Sequence, residues 1–215
     1  MPVMDWTPYG LLMMGLSAVI AYFCGCFNGA VMVSKYILRD DVREHGSGNA
    51  GLTNFYRTFG GFLTLVVILC DVLKMVLAVE IASYLLGGTV AARYWAGLFC
   101  LLGHMFPLMF RFRGGKGILS GGTLAIMIDW RIALVVWGGF LVLVILTRFV
   151  SLGSLWAAGS FPFASWACYP YVFIVILAFI TGGLVAWKHY PNIVRLIHGE
   201  ENRFSLHRKK TEGGS

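Results

Sequence analysis

Long apolar runs cut by short polar breaks cover most of the chain, at 8–34, 61–88, 90–110, 117–129, 132–149, 151–168 and 170–187. A helix that crosses a bilayer needs about 20 mostly apolar residues. The spacing therefore predicts an all-α, polytopic integral membrane protein with seven transmembrane helices. Two runs bear on the count. The run at 117–129 is short enough to be re-entrant, and 151–168 contains Gly159 and Pro162, which can break a helix. Five spans plus re-entrant segments is the alternative, and the polar turn Asp129-Trp130-Arg131 favours seven. Without an internal repeat or a low-complexity linker, the spans form one domain over 1–208, followed by a flexible polar tail at 209–215.

Composition excludes a soluble domain. With 58% hydrophobic residues, 13% charged residues and a mean hydropathy of +0.76, too little polar surface exists to cover 215 residues. Lysine and arginine near short loops stay cytoplasmic, and this sets the orientation. With the N-terminus outside, 14 of the 17 cations fall in cytoplasmic segments, among them Lys35, Arg57, Lys116 and Arg195, whereas Arg93 and Arg131 fall outside and Lys74 lies within a span. The C-terminus is then cytoplasmic. No lysine or arginine precedes Lys35, so the first run lacks the charged start of a secretory signal and is expected to remain as a mature helix. The net charge of +7 reads mainly as topology, with some attraction to anionic lipid or substrate. It gives no reason to expect nucleic acid.

Cys24, Cys26, Cys70, Cys100 and Cys168 all lie within apolar runs and read as packing residues. The five histidines form no HxxxH pair or Cys/His cluster, so neither a metal nor a cofactor is expected.

Three polar stretches interrupt the apolar pattern on the predicted cytoplasmic side: Gly46-Ser-Gly-Asn-Ala-Gly51 with Arg57, Gly114-Gly-Lys-Gly117, and His189-Tyr-Pro-Asn192 with Arg195. Spans leave this face after the first two stretches and at Ser151-Leu-Gly-Ser154. A helix N-terminus offers unpaired N–H groups and partial positive charge, and glycine lets an anion approach the backbone. Phosphate is the expected ligand. The first stretch also matches GxGxxG, but membrane helices rather than a βαβ unit flank it. The second fails the nucleotide P-loop pattern, because Phe110 stands where its first glycine belongs and Gly117 follows Lys116. Asp71 and Lys74, three apart in the second run, can share a helix face and neutralise one another; a structural ion pair is the expected role, with a catalytic role as the alternative. His104 reads either as a satisfied helix residue or as a substrate contact. Cations beside broken apolar spans also suit a small phosphate or organophosphate transporter, and basic loops suit a lipid-binding scaffold.

Taken in order, the motifs resemble the PlsY family of bacterial acyl-phosphate:glycerol-3-phosphate acyltransferases. The chain supplies Gly46 through Arg57 for the first motif, Gly103-His-Met-Phe-Pro107 through Phe112-Arg-Gly-Gly-Lys-Gly117 for the second, and His189 through Glu201 for the third. The resemblance spans nearly the whole chain. It implies transfer of a fatty acyl group from acyl phosphate to the 1-position of glycerol 3-phosphate, in the bacterial inner membrane with the active site facing the cytoplasm. It also implies functional coupling to the enzyme that makes acyl phosphate. The family's pattern maps catalytic roles onto Ser47, Arg57, Lys116, His189 and Asn192. Substrate or phosphate contacts map onto Gly46, Gly48, Asn49, Gly51, Asn54, His104, Gly114, Gly115, Gly117 and Ser154, with Ser151 nearby; Asp71, Lys74 and Glu201 read as structural. Gly25-Cys-Phe-Asn28 replaces the family's GSxP, Leu52 replaces an alanine, and Met75 replaces a glycine. An acyl phosphate is already activated, so stabilising charge matters more than a strong base. Either His189 or a substrate phosphate can take the hydroxyl proton, and an acyl-serine on Ser47 is a further route.

Overall fold

The structure is a computed structural model and describes residues 4–204. Ten α-helices make up the described residues, with no strand among them. Seven are long: α1 (Pro8–Cys26), α4 (Leu63–Leu85), α5 (Val90–Met105), α6 (Ile118–Ile128), α7 (Trp130–Thr147), α8 (Val150–Cys168) and α9 (Val172–Lys188). Three are short: α2 (Gly29–Met32), within the first apolar run, and α3 (Leu52–Thr58) and α10 (Tyr190–Ile197), which lie among the polar stretches. The expected tail at 209–215 lies outside the described residues.

Helix α1 packs on α5 and α4, α8 packs between α7 and α9, and α6 is set among α4, α5 and α7. Small residues permit the closest crossing. A Cβ on Gly25 would overlap the carbonyl of Cys100, and one on Gly103 would overlap that of Tyr22, so α1 and α5 meet backbone to backbone.

On α4, Leu65, Leu69, Leu73, Leu77 and Ile81 recur every fourth residue and are exposed, a stripe suited to lipid. The opposite face buries Val67, Asp71, Lys74, Met75, Ala78 and Ala82. By length and composition α1 and α7 each suffice to cross a bilayer, and α9 with α10 does so as a pair bent by 55°. Helix α4 is longer than either but carries Asp71, Lys74 and Glu80.

Two expectations need correction. The first apolar run is not one helix. It ends at Cys26, restarts as α2 and continues into a π-turn at Val33–Ile37. Asn28 makes the break: its Oδ1 accepts the Val31 N–H at 3.1 Å, capping α2, and its Nδ2 donates to Ala50 O at 3.0 Å. Conversely, Gly159 and Pro162 do not interrupt α8. Proline removes the N–H that would bond Ala158 O, and Gly182 of α9 lies so close that a Cβ there would sit 2.5 Å from that oxygen. A neighbouring helix backbone thus covers the freed carbonyl.

Candidate active site

The first polar stretch is built around Asn54. This buried side chain donates to Val42 O and His45 O at 3.0 Å each and to Asn49 O at 3.1 Å, while its Oδ1 accepts the Ser47 N–H at 3.0 Å. Asn54 therefore shapes the loop. Gly46 and Gly48 have φ of 57° and 68°, a left-handed backbone that glycine adopts without strain. These turns put Ser47 and Asn49 on the inner rim and lead through Gly51 into α3, which carries Arg57. Arg43 ties this loop to the second, donating to Phe110 O at 2.9 Å and Arg113 O at 3.2 Å while paired with Asp41.

The second stretch folds back along the end of α5. Gly114 N–H donates to Met105 O at 3.2 Å, and Gly115 N–H donates to His104 O at 3.1 Å. Both amides are thus occupied by carbonyls of the chain itself. Gly117, at φ 82°, opens α6, whose first N–H groups have no partner within the helix and no side-chain cap. Close packing explains Gly115: a Cβ there would overlap His104 Nε2 and lie 2.5 Å from Ala50 O.

The third stretch supplies the partners of Lys116. Lys116 Nζ donates to Asn192 Oδ1. Asn192 Nδ2 donates in turn to Glu201 Oε1 at 2.8 Å, and Arg195 Nε donates to Glu201 Oε2 at 2.8 Å. Burial, with the nearby charge of Arg195, lowers the Lys116 pKa to about 8. His189 is buried and donates Nδ1–H to Val185 O at 2.8 Å, leaving Nε2 as an acceptor. Burial pushes its pKa down to about 4, so it is neutral at physiological pH. The chain after α10 then crosses to the first loop, where Asn202 O accepts from Arg57 at 3.3 Å.

These elements enclose one cavity of ≈ 270 Å³. Ser47, Asn49, Gly51, Asn54, Arg57, His104, Lys116, Gly117, Ser154, His189, Asn192 and Glu201 all border it, and Asp71 reaches its floor. Gly46, Gly48, Gly114 and Gly115 are not on its wall; they set the loops that form it. Ser154 donates to Val150 O at 2.8 Å within its own helix. Sequence reasoning missed the apolar wall of Ile118, Leu119, Trp137, Phe140 and Val150, as well as Asn202 at the mouth. Trp137 and Phe140 gave no signal, because they are indistinguishable from other apolar residues of their span.

The helices thus form a bundle with one cavity lined by both cationic and apolar side chains. The family model described as glycerol-3-phosphate acyltransferase matches residues 15–199, and the chain belongs to that family. It is 36% identical over 197 residues to the glycerol-3-phosphate acyltransferase of Thermoanaerobacter pseudethanolicus, covering 92% of this chain and 97% of that one. The namesake from Cronobacter sakazakii is 37% identical over 197 residues, covering 89% and 93%. Among solved structures, the glycerol 3-phosphate form of PlsY (YgiH), an integral membrane glycerol 3-phosphate acyltransferase, superposes with a TM-score of 0.82 at 29% identity, covering 89% of this chain and 96% of that one. Its lysophosphatidic acid form gives 0.78 over 91% and 97%. The chain is an integral membrane acyltransferase.

Proposed function

We propose that the chain transfers a fatty acyl group from acyl phosphate to the 1-hydroxyl of glycerol 3-phosphate, releasing lysophosphatidate and inorganic phosphate. One observation carries this reading: a single cavity is lined both by the polar side chains of Lys116, Arg57 and Asn192 and by the apolar side chains of Ile118, Trp137 and Phe140. Such a cavity suits phosphates held beside a buried hydrocarbon chain. The glycerol 3-phosphate and lysophosphatidic acid forms of the solved relative support the acceptor and the product.

In this reaction the 1-hydroxyl oxygen attacks the acyl carbon, and the bond from that carbon to the phosphate oxygen breaks. Charge builds on the carbonyl oxygen and on the leaving phosphate. Lys116, Arg57 and the first N–H groups of α6 stabilise it, because fixed donors in a site shielded from water need no reorganisation. Asn192 orients the Lys116 ammonium, and Ser47 and Asn49 position the substrates. His189 accepts the hydroxyl hydrogen bond at Nε2. With a pKa of about 4 it is too weak a base to keep the proton, which passes to the leaving phosphate, whose freed oxygen becomes more basic as its bond to the acyl carbon breaks. Transfer is direct, because among the described residues no base is hydrogen-bonded to the Ser47 hydroxyl.

The proposed topology has seven spans, an outer N-terminus and a cytoplasmic C-terminus, with the three motif loops facing the cytoplasm of the bacterial inner membrane. The linked contacts of Arg43, Arg57, Lys116 and Arg195 at one end of the bundle support it, as do Arg93 and Arg131 at the other end, beside Met127 and Asp129. A single domain runs from the first span through the third motif, and acyl phosphate arrives from the enzyme that makes it. The test is purified protein in liposomes given labelled glycerol 3-phosphate and acyl phosphate. Label should appear as membrane-bound lysophosphatidate, with one phosphate released per product. Label that enters the lumen without becoming lipid would point to a transporter.

A further inference from the structure

Two histidines line the cavity with opposite ring states. The His189 Nδ1–H is engaged by Val185 O, so its Nε2 accepts. For His104 the partners dictate the reverse. Lys74 Nζ lies 2.6 Å from His104 Nδ1, 2.6 Å from Asp71 Oδ1 and 3.2 Å from Phe27 O. An ammonium has three N–H bonds and no lone pair, while a carboxylate and a carbonyl can only accept. The third N–H is therefore directed at Nδ1, which must hold a lone pair, and the ring proton sits on Nε2. His104 lines the cavity, and its Nε2 lies against Gly115, just before the start of α6.

Packing alone does not account for this cluster. Asp71, Lys74 and His104 are 2%, 4% and 2% exposed, and removing two charges from water costs several kcal/mol per ion even when they are paired. Apolar residues would fill the same space without that cost. What the charged pair adds is control of a proton on a ring that borders the site. The break at Asn28 contributes as well. It exposes Phe27 O to Lys74 and frees Gly29 N–H to bond Asp71 Oδ1 at 3.3 Å, so the chain interruption holds the pair in place.

We propose that Lys74, held by Asp71, is a positioning residue for acyl transfer: it locks His104 in the Nε2–H form, so that the ring donates a hydrogen bond to the phosphate bound in the cavity at the start of α6. The cavity then has one donor histidine for phosphate and one acceptor histidine for the hydroxyl. This deepens the acyl-transfer reading and rests on it.

The experiment combines steady-state kinetics with ¹⁵N NMR of ring-labelled histidine in detergent-solubilised full-length protein. In the wild type, the His104 signal, identified by its loss in His104→Gln, should show a protonated Nε2 and a bare Nδ1. Lys74→Met should lower kcat/KM for acyl phosphate roughly tenfold to a hundredfold, as expected when a histidine loses its orienting partner. In a His104→Leu background the same change should cost less than about twofold, because coupled residues are not additive. His104→Gln keeps a donor near Nε2 and should be insensitive to Lys74→Met. Lys74→Met leaves the Asp71 carboxylate unpaired, so Asp71→Leu/Lys74→Met, which removes both charges, is measured alongside it. Should the single variant not fold, the double variant and the wild-type ring spectrum decide. The proposal is overturned if the folded variants keep wild-type kcat/KM, if their losses persist undiminished in His104→Leu, or if Nδ1 carries the proton in the wild type. Wild-type protein that makes no lysophosphatidate would instead remove the acyl-transfer reading and this proposal with it, whereas an active wild type with any of the three overturning results sinks the proposal alone.

Discussion

Replacing Lys116 by methionine keeps the length of the side chain and removes its charge. The ammonium is half-buried, bonded to Asn192 and close to Arg195, and its pKa falls from 10.5 to about 8. That difference corresponds to about 3 kcal/mol by which the folded protein disfavours the protonated form. A bound phosphate relieves this penalty, so the charge is held ready for an anion. Truncating one partner of such a buried charge contact costs about 2–5 kcal/mol, or roughly a thirtyfold to several thousandfold fall in kcat/KM. The assay is phosphate release from acyl phosphate by detergent-purified protein, with both substrates varied. The pH profile adds an independent check. kcat/KM reports the free enzyme, and the charged form of Lys116 is lost as pH rises through its pKa, so wild-type kcat/KM should decline above about pH 8. Lys116→Arg should have a lower plateau, because arginine's fork does not fit a point-charge site, yet show no decline at that pH. Lys116→Met with kcat/KM within threefold of wild type for both substrates, or an unchanged alkaline limb in Lys116→Arg, would refute the assignment.

Gly115→Ala should weaken acyl phosphate use and lower the melting temperature together, because the new methyl group meets His104 Nε2 and Ala50 O; a loss of affinity at unchanged stability would contradict this packing account. Asn28→Ala removes a helix cap and the bond to Ala50 O, and should cost about 1–2 kcal/mol in a denaturation experiment; a neutral result would mean the chain break does not depend on Asn28. A cysteine at Trp130 should react with a membrane-impermeant thiol reagent from outside intact cells, and one at Ser47 only after the cytoplasmic face is opened; the reverse pattern would invert the topology. Arg131→Gln, at the end remote from the cavity and paired with Asp129, should leave turnover within twofold; a large loss would mean the site is not confined to the loops.

The long helices were legible because lipid-suited segments are long and apolar, and the runs near 61–88, 132–149 and 170–187 became α4, α7 and α9 with small shifts at their ends. The break at Asn28 was not legible. Its neighbours Cys26, Phe27 and Gly29 continue the apolar run, and the partner that fixes the break, Ala50 O, is a backbone atom 22 residues away. Pro162 misled in the other direction, since what keeps α8 whole is the close approach of Gly182 from α9. In the site, residue type and order were enough to gather Ser47, Arg57, Lys116, His189 and Asn192 around one cavity. The division of labour among glycines and asparagines was not readable. The amides of Gly114 and Gly115 are taken by α5, and Asn54 is committed to its own loop. These are backbone matters that residue type does not encode. Likewise, the spacing of Asp71 and Lys74 announces an ion pair, but only the packing of α4 on α5 brings His104 to its third N–H.

The most direct measurement of the central claim is donor choice. Purified protein is incubated with glycerol 3-phosphate and either acyl phosphate or acyl-CoA of the same chain length, and lysophosphatidate and phosphate are quantified by mass spectrometry and colorimetry. Acyl phosphate should give lysophosphatidate and phosphate in equal amounts, and acyl-CoA should give none. Efficient product formation from acyl-CoA alone, in a preparation free of other acyltransferases, would contradict the account.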